Sequence, residues 1–309
     1  MTKLEHLIAA QQFDRPILEE FFGTTDEMVE IQRKGGSDFL RRKGMAALFY
    51  EPSTRTRFSF QRAMQLLGGD TIFTESAEHF SSVVKGETLE DTIMVVGGFV
   101  DVIVLRHKEE GAAMRAAEIS PVPVINAGDG PGQHPTQALL DLYTIRKELG
   151  RIDGLSYALV GDLLNARTVR SLAYLLAKFS DVRLTFVFGK GLGVHKDILD
   201  YLTRHNVRYE LSHNLAEVAS EVNVVYMTRF QQERVSGDAA EAWAAYETTN
   251  LTDEIVRRMK PDSIIMHPLP RNREIPRSVD ADKRRAVYFR QSWYGVSVRM
   301  TTLAMTVAA

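Results

Sequence analysis

The sequence predicts an α/β protein made of two doubly wound parallel-sheet domains. Short apolar runs typical of buried strands alternate with amphipathic, helix-like segments along most of the chain. This alternation restarts after a turn at residues 150–154, and 309 residues with 44% hydrophobic composition exceed what a single core usually holds. We therefore predict one domain at residues 1–135 with a terminal helix of about residues 288–309, and a second domain at residues 136–287.

In the first half, Asp14 is a suitable N-cap, and Pro16 lies at an early position of the helix that follows. Strands are predicted at residues 45–50, 71–73, 101–105 and 122–126, and helices at residues 58–67, 88–99 and 109–118. The polar connection at residues 74–86 is longer than most connections, and long polar loops are either disordered or functional. Glycines and prolines predict an irregular loop at residues 127–135, next to His134 and Gln137.

In the second half, the same rhythm predicts helices at residues 136–149, 167–179, 194–204 and 287–307, and strands at residues 155–160, 183–188, 222–227 and 263–266. Polar residues follow the last two strands, at 228–229 and at 267–270, where open parallel sheets bind ligands. We therefore expect the active site in the cleft between the two domains. The glycines at 189–193 lack the spacing of a dinucleotide fingerprint, so a turn is the better interpretation there.

Charge and composition exclude several classes of protein. The chain carries 38 basic and 40 acidic residues, a formal charge of -2, so no net field favours a nucleic acid or a membrane partner. The absence of cysteine excludes disulfides, thiolate metal sites and cysteine nucleophiles, and no His or carboxylate spacing is typical of a metal site. Residues 1–14 lack the continuous apolar core and cleavage site typical of a signal peptide, and no apolar run reaches membrane-spanning length. We therefore expect a cytoplasmic protein without a metal.

The segment Ser53-Thr54-Arg55-Thr56-Arg57 joins a predicted strand to a predicted helix. A helix start leaves backbone N–H groups unpaired, and hydroxyl and arginine side chains there add further donors. An ordinary capped helix would explain the hydroxyls. It would not explain two arginines, because positive charge opposes the helix dipole in the first turn. The segment therefore indicates an anion site, with phosphate as the fitting ligand.

Five segments together resemble the carbamoyltransferase family and span nearly the whole chain. They are STRTR at 53–57, VKGET at 84–88, LRH at 105–107, HPTQ at 134–137 and HPLP at 267–270. The segment YMTRFQQER at 226–234 resembles the aspartate branch of this family. The ornithine branch has a cysteine before Leu-Pro and a Ser-Met-Gly segment, and this chain has neither.

The resemblance implies transfer of the carbamoyl group of carbamoyl phosphate to the amino group of L-aspartate, an early step of pyrimidine synthesis, with no cofactor. It implies that carbamoyl phosphate binds to Ser53, Thr54, Arg55, Thr56, Arg106, His134, Gln137, Leu269 and Pro270, of which Arg55, Thr56, Arg106 and His134 are catalytic. Aspartate would bind to Lys85, Arg167, Arg229 and Gln231. The resemblance also implies a homotrimer in which Ser81 and Lys85 act in a neighbouring subunit's active site.

Arg167 and Arg229 need internal partners while substrates are absent, and Glu51, Glu233 and Arg234 are candidates for that scaffold. The chain departs from the family pattern at residues 81–85, which hold one lysine rather than two adjacent ones, and at Ala240, where a tyrosine is found in the best-known member. Association with a regulatory or dihydroorotase chain therefore stays open.

Three alternatives remain. One is a carbamoyltransferase for another amino acceptor, such as ornithine. A second is a non-catalytic paralogue, which we would expect to lack Arg55, Arg106, His134 or Arg229, whereas all four are present. The third is a nicotinamide oxidoreductase on the same βα rhythm, which would need a glycine fingerprint.

Overall fold

The computed structural model describes residues 1–75, 85–234 and 238–307. They form two compact units, Met1–Leu140 with Tyr294–Ala309 and Asp141–Trp293. The chain passes from one unit to the other inside helices Pro135–Leu149 and Tyr288–Val307. Each unit contains a parallel sheet with helices in its connections, so the predicted fold class is confirmed. Which substrate each domain binds stays a prediction.

The sheet of the first unit has the strand order β2-β1-β3-β4, and all of its pairings are parallel. The strands are β1 (Gly44–Phe49), β2 (Asp70–Glu75), β3 (Val102–His107) and β4 (Val124–Asp129), and the helices with them are Arg15–Arg33, Thr54–Leu66, Leu89–Gly97 and Ala112–Ile119. Side chains of β1 and β3, among them Leu48 and Leu105, pack with Ile93 and Ala116 of the covering helices. Because β1 lies between β2 and β3, it is buried over nearly its whole length.

The sheet of the second unit has the order β7-β6-β5-β8-β9, again with parallel pairings. Its strands are β5 (Ser156–Val160), β6 (Arg183–Val187), β7 (Arg208–Ser212), β8 (Val224–Met227) and β9 (Ile264–Met266), and its helices include Arg167–Leu176, Lys196–Arg204, Leu215–Val218, Ala239–Glu247 and Asp253–Arg258. The core packs β5, β8 and β9 against Val256 and Val279. The order reverses next to β5, because the chain goes outward from β5 to β7 and then returns to β8 on its other side.

The structure departs from the sequence analysis at two strands, one that was not predicted and one whose end was predicted too early. Strand β7 was not predicted, because its residues Arg208–Ser212 are mostly exposed at the sheet edge and form no apolar run. Strand β4 continues to Asp129 instead of ending at Asn126. Beyond Asn126 the strand holds Ala127, Gly128 and Asp129, and a register shift opposite residues 105–107 accommodates them.

The first helix was predicted closely from its cap. It covers Arg15–Arg33, and the Asp14 carboxylate accepts a hydrogen bond from the Ile17 amide at 2.9 Å. Of the helices in the described ranges, none is both long and apolar enough to span a membrane.

Candidate active site

The segment of residues 53–57 follows β1, as predicted, but helix Thr54–Leu66 begins within it, before the predicted start at residue 58. Ser53 is the N-cap residue, yet its hydroxyl accepts no hydrogen bond from the helix, and the first turn contains no acidic residue. Thr54 and Arg55 are exposed, whereas Thr56 is only 6% exposed. The helix start thus presents donors and a positive charge without an acidic side chain of its own, as an anion site requires.

The two arginines of this segment have different environments. Arg57 is 8% exposed, and its guanidinium lies 5.0 Å from the ring centroid of Phe58 and 5.4 Å from that of Phe73. Arg57 therefore packs against aromatic rings, and Arg55 is the arginine that faces solvent at the helix start. This difference agrees with the sequence hypothesis, which assigns the anion to Arg55.

Arg106 lies at the carboxyl end of β3, in register with Phe49 at the end of β1. Its Nη2 atom is 3.2 Å from Oε2 of Glu51, and their side chains are only 14% and 23% exposed. Its Nη1 atom also donates to the Ala127 carbonyl at 3.4 Å. Glu51, a candidate for the scaffold that holds Arg167 and Arg229, is thus a partner of Arg106. These contacts fix the guanidinium beside the strand that leads into residues 53–57.

The loop that carries His134 is held by Asp129, a residue the sequence analysis did not identify. The Asp129 carboxylate accepts hydrogen bonds from the Asn126 side chain at 3.1 Å and from the Gln133 and Gly111 amides, each at 2.9 Å. His134 follows and is 5% exposed. Asp129 is 6% exposed, so its several donors compensate the burial of the carboxylate.

Helix Pro135–Leu149 begins directly after His134. The Thr136 hydroxyl lies 3.4 Å from Nδ1 of His134, and Gln137, in the first turn, is 7% exposed. The loops after β1, β3 and β4 all leave the same edge of the sheet, since these strands are parallel neighbours. The first unit therefore collects the predicted residues 53–56, Arg106, His134 and Gln137 on its carboxyl edge.

In the second unit, Asp162 connects the segments that carry the predicted aspartate ligands. Its carboxylate is fully buried and accepts from the Asn165 side chain at 3.1 Å and from the Gln231 amide at 3.0 Å. Burial raises the pKa of Asp162, and the hydrogen bonds from Gln231 and Asn165 oppose that shift. Arg167 begins the helix just beyond Asn165 and is 8% exposed. Asp162 therefore sets the position of Gln231 relative to the loop before Arg167.

Arg229 is held by Glu233, as the scaffold hypothesis predicted. Its Nη1 atom donates to Oε2 of Glu233 at 3.1 Å, and its Nη2 atom donates to Oε1. The hydrogen bond from Arg229 lowers the pKa of Glu233, and the same bond raises the pKa of Arg229. The Arg234 guanidinium contacts the Asn165 carbonyl at 3.4 Å, which ties this segment to the loop before Arg167.

Residues 267–270 are held by a chain of buried polar groups. The Leu269 amide donates to Nδ1 of His267 at 2.7 Å, so Nε2 carries the proton and donates to Glu274 at 2.8 Å. Both side chains of this pair are almost fully buried. Burial raises the pKa of Glu274, but the hydrogen bond and charge of His267, with backbone donors, outweigh it and leave the pKa lowered.

Behind His267, Gln291 and Asp141 extend the same network. The His267 amide donates to Oε1 of Gln291 at 2.9 Å, and Nε2 of Gln291 donates to Asp141 at 2.7 Å. Asp141 also accepts from the Tyr226 hydroxyl at 2.8 Å. Sequence reasoning missed Asp141, Glu274 and Gln291, because each is an isolated polar residue with no motif around it. Through this network the fold fixes the backbone of Leu269, which adopts a φ of 57° before a cis bond to Pro270.

Lys85 is exposed, and no described contact ties it to the other predicted residues. Ser81 lies outside the described residues. In the parts of the chain that the structure covers, no cluster of three or more His, Asp or Glu side chains could hold a metal ion.

The fold and these groups of residues define a two-sheet α/β protein with candidate anion sites at the carboxyl edge of each sheet. A model of the aspartate/ornithine carbamoyltransferase carbamoyl-P binding domain matches residues 5–147, and a model of the Asp/Orn binding domain matches residues 153–306. The chain belongs to the aspartate/ornithine carbamoyltransferase family.

Individual relatives agree with the two family models. Aspartate carbamoyltransferase 3, chloroplastic, of Pisum sativum is 53% identical over 308 residues, which cover 98% of this chain and 78% of that protein. The aspartate carbamoyltransferase catalytic subunit of Methanothrix thermoacetophila is 49% identical over 306 residues, 99% of each chain. Aspartate transcarbamoylase from Trypanosoma cruzi in complex with carbamoyl phosphate and aspartate is 38% identical with a TM-score of 0.93, covering 99% of this chain and 98% of that chain.

Proposed function

We propose that this chain transfers the carbamoyl group of carbamoyl phosphate to the amino group of L-aspartate, which yields N-carbamoyl-L-aspartate and phosphate. The observation that carries this proposal is the near full-length similarity to an enzyme whose structure contains both substrates. The names of the relatives at about 50% identity support aspartate, rather than ornithine, as the acceptor.

Carbamoyl phosphate binds at the carboxyl edge of the first unit's sheet. Its ligands are Ser53, Thr54, Arg55, Thr56, Arg106, His134, Gln137 and the carbonyls of Leu269 and Pro270. The unused Ser53 hydroxyl and the exposed Arg55 support the phosphate assignment. The Leu269 and Pro270 carbonyls accept from the carbamoyl NH₂ group, because a carbonyl oxygen can accept but not donate.

The proposed catalysis depends on electrostatic stabilisation of the charge that develops during carbamoyl transfer. The aspartate amine attacks the carbamoyl carbon, its C–N bond forms as the C–O bond to phosphate breaks, and phosphate leaves with the electron pair and accepts the proton. Negative charge grows on the carbonyl oxygen during attack, and Thr56, Arg106 and His134 donate to that oxygen. The contacts of Arg106 with Glu51 and Ala127 hold its guanidinium in place before substrate binds, so it does not reorganise in the transition state.

Aspartate binds through its two carboxylates to Arg167 and Arg229, with Gln231 and Lys85 completing the site. Arginine is suited to this role because its planar fork can donate two parallel hydrogen bonds to one carboxylate. The shared attachment of the Arg167 and Gln231 segments to Asp162 supports grouping these residues.

Steady-state kinetics with carbamoyl phosphate and a panel of amino acids test this function. We expect release of phosphate with L-aspartate and little with L-ornithine or other acceptors. Turnover with ornithine but not with aspartate would show that aspartate is not the acceptor. Phosphate release without any amino acid would show that the carbamoyl group is not transferred to an amino acid.

A homotrimer is part of the proposal, with Ser81 and Lys85 serving a neighbouring subunit. Exposed apolar side chains on the edge strand β2 and on helix Thr54–Leu66 support self-association, namely Ile72 at 60%, Phe73 at 55% and Phe58 at 54% exposure. A cytoplasmic location and association with a regulatory or dihydroorotase chain stay predictions, testable by fractionation and by affinity purification from the native cell.

Subunit complementation tests the shared site. We expect Lys85→Ala and Arg55→Ala chains to be inactive separately, and their reassembled mixture to regain activity. In a cyclic trimer, every mixed ring contains one site with both intact residues, so random equimolar mixing should restore about one-quarter of wild-type activity. Verified mixed trimers that stay inactive would show that Lys85 does not act across the interface.

A further inference from the structure

A polar cleft lies in the second unit at the amino-terminal edge of its sheet. It is lined by residues 177–183 and 205–208, which precede β6 and β7, and its volume is about 590 Å³. Arg167 and Arg229 follow the carboxyl ends of β5 and β8, which is the opposite edge of the same parallel sheet. The cleft is therefore separate from the residues proposed to bind aspartate.

The two lining segments repeat one local pattern. Asp181-Val182-Arg183 leads into β6, and Asn206-Val207-Arg208 leads into β7. Asp181 and Asn206 have φ angles of 55° and 56°, a left-handed conformation that Asp and Asn tolerate better than most residues. Val182 and Val207 are 3% and 8% exposed, and the arginine after each valine is exposed. Each buried valine therefore anchors a turn that presents an arginine at the cleft.

The repeat places the two arginines next to each other. Arg183 and Arg208 are register partners on neighbouring parallel strands, where backbones lie about 4.8 Å apart. Like charges on neighbouring strands repel each other at this separation. In the described part of the chain, neither guanidinium forms an ion pair with a carboxylate. The pair is thus an unfavourable feature of the isolated chain that an anion would stabilise.

Two further basic side chains of the cleft are positioned by Tyr201. Nζ of Lys178 lies 5.5 Å from the Tyr201 ring centroid, and the His205 ring stacks on Tyr201 at 4.0 Å. The only carboxylate among the lining residues is that of Asp181. Asp153 lies next to the lining, where its carboxylate accepts from the Ser180 amide at 2.7 Å. The three charged basic side chains, Lys178, Arg183 and Arg208, outnumber these two carboxylates, so the cleft is positive at neutral pH.

We propose that this cleft binds a phosphate-bearing small molecule, with the phosphate held by Arg183 and Arg208. A phosphate dianion suits two adjacent guanidinium groups, because its oxygens accept several charge-assisted hydrogen bonds at once. The cleft volume falls in the range of about 300–1,000 Å³ that is usual for small-molecule sites, which leaves room for more than the phosphate. The remainder of the ligand lies beside Lys178 and His205.

Isothermal titration of the full-length protein tests this site. The protein is first saturated with N-(phosphonacetyl)-L-aspartic acid, so that the proposed active site is occupied, and is then titrated with inorganic phosphate, adenosine 5′-monophosphate, uridine 5′-monophosphate or uridine. We expect one saturable phosphate-dependent site per chain and no binding of uridine. Removing two charge-assisted contacts in Arg183→Gln/Arg208→Gln should weaken binding at least about a hundredfold, roughly tenfold for each arginine.

The matched control is Arg257→Gln/Arg258→Gln, which removes the same charge from exposed arginines of helix Asp253–Arg258 in the same unit. It should bind like the wild type, and the cleft variant should unfold at the same temperature or higher because a like-charge pair is relieved. Tighter binding of a nucleotide than of phosphate would identify a phosphomonoester as the ligand, and equal binding would identify free phosphate.

No saturable site, or equal affinity in the cleft variant and the wild type, would overturn the proposal. Equally weakened binding in the control variant would also overturn the proposal, because the loss of affinity would then follow from the change in net charge alone. If the phosphonacetyl compound does not bind, the proposed function fails, but the comparison of cleft and control variants still reports on this cleft.

Discussion

The two candidate anion sites differ in the hydrogen bonds that their donors form within the protein before a ligand binds. In the first unit, the Ser53 hydroxyl does not cap its own helix, and the first turn has no acidic side chain. In the second unit, Arg229 already donates through both terminal nitrogens to Glu233. A ligand can use the Ser53 hydroxyl without displacing a helix cap, whereas it must compete with an internal carboxylate for Arg229.

The exposure of the two arginine–glutamate pairs sharpens this contrast. The Arg106–Glu51 side chains are 14% and 23% exposed, but those of Arg229 and Glu233 are 29% and 54% exposed. Solvent screens the more exposed pair more strongly, so Arg229 can exchange partners more readily than Arg106. The guanidinium of Arg106 is held more firmly than that of Arg229, because its ion pair is less exposed. This difference suits Arg106 to stabilising the charge that develops during the reaction. It suits Arg229 to exchanging Glu233 for a substrate carboxylate.

The largest expected effect is on turnover in Arg106→Ala. Because Arg106 donates to charge that grows in the transition state, kcat should fall about a hundredfold or more while aspartate affinity changes less. Steady-state kinetics with both substrates varied measure the two effects separately. Near-normal kcat with only a raised substrate requirement would remove Arg106 from this role.

The Arg229→Ala substitution should mainly weaken the binding of aspartate. Loss of hydrogen bonds to a charged group, about 1.5–3 kcal/mol, should raise the KM for aspartate roughly ten- to hundredfold. Equilibrium titration with carbamoyl phosphate alone should change little. A large loss in that titration would contradict the assignment of Arg229 to aspartate.

The Glu274→Gln variant tests the buried network behind Leu269 through its pH dependence. At neutral pH, loss of the charge that accepts from His267 should lower the free energy of unfolding by about 1.5–3 kcal/mol. The folded pKa of Glu274 is lowered from 4.5, so folding favours its charged form. Its stabilisation is complete above about pH 4.5 and is lost as pH falls through the lowered folded pKa.

Thermal unfolding of wild type and Glu274→Gln at several pH values from 7 to 3 checks this sign. The difference in Tm should shrink below the ordinary glutamate pKa. A difference that stays constant into the acid range would mean that the charge of Glu274 contributes nothing.

The smallest expected effect on stability concerns Ser53, the N-cap residue whose hydroxyl makes no capping hydrogen bond. Ser53→Ala should change the free energy of unfolding by less than about 0.5 kcal/mol, because its hydroxyl makes no capping bond, whereas Asp14→Ala should cost about 1 kcal/mol. Ser53→Ala should nevertheless raise the KM for carbamoyl phosphate. Equal destabilisation by both substitutions, measured by urea unfolding, would show that Ser53 serves the helix instead of a ligand.

The sequence alone determined the fold class, and it predicted where ligands bind. Alternating apolar runs and amphipathic segments predict parallel sheets, since each pattern reports locally which face of an element is buried. Asp14 is an example, because its helix begins where the cap predicts. The family motifs reached further and identified the candidate site residues at the carboxyl edges of both sheets.

Only the tertiary structure decided how those residues are supported. Asp162 accepts from Gln231, 69 residues away in sequence, and Gln291 accepts from His267 and donates to Asp141, 150 residues away. Strand β7 and the register that pairs Arg183 with Arg208 were likewise not predictable. A buried polar group needs a partner, but local sequence does not state which distant residue the fold brings to it.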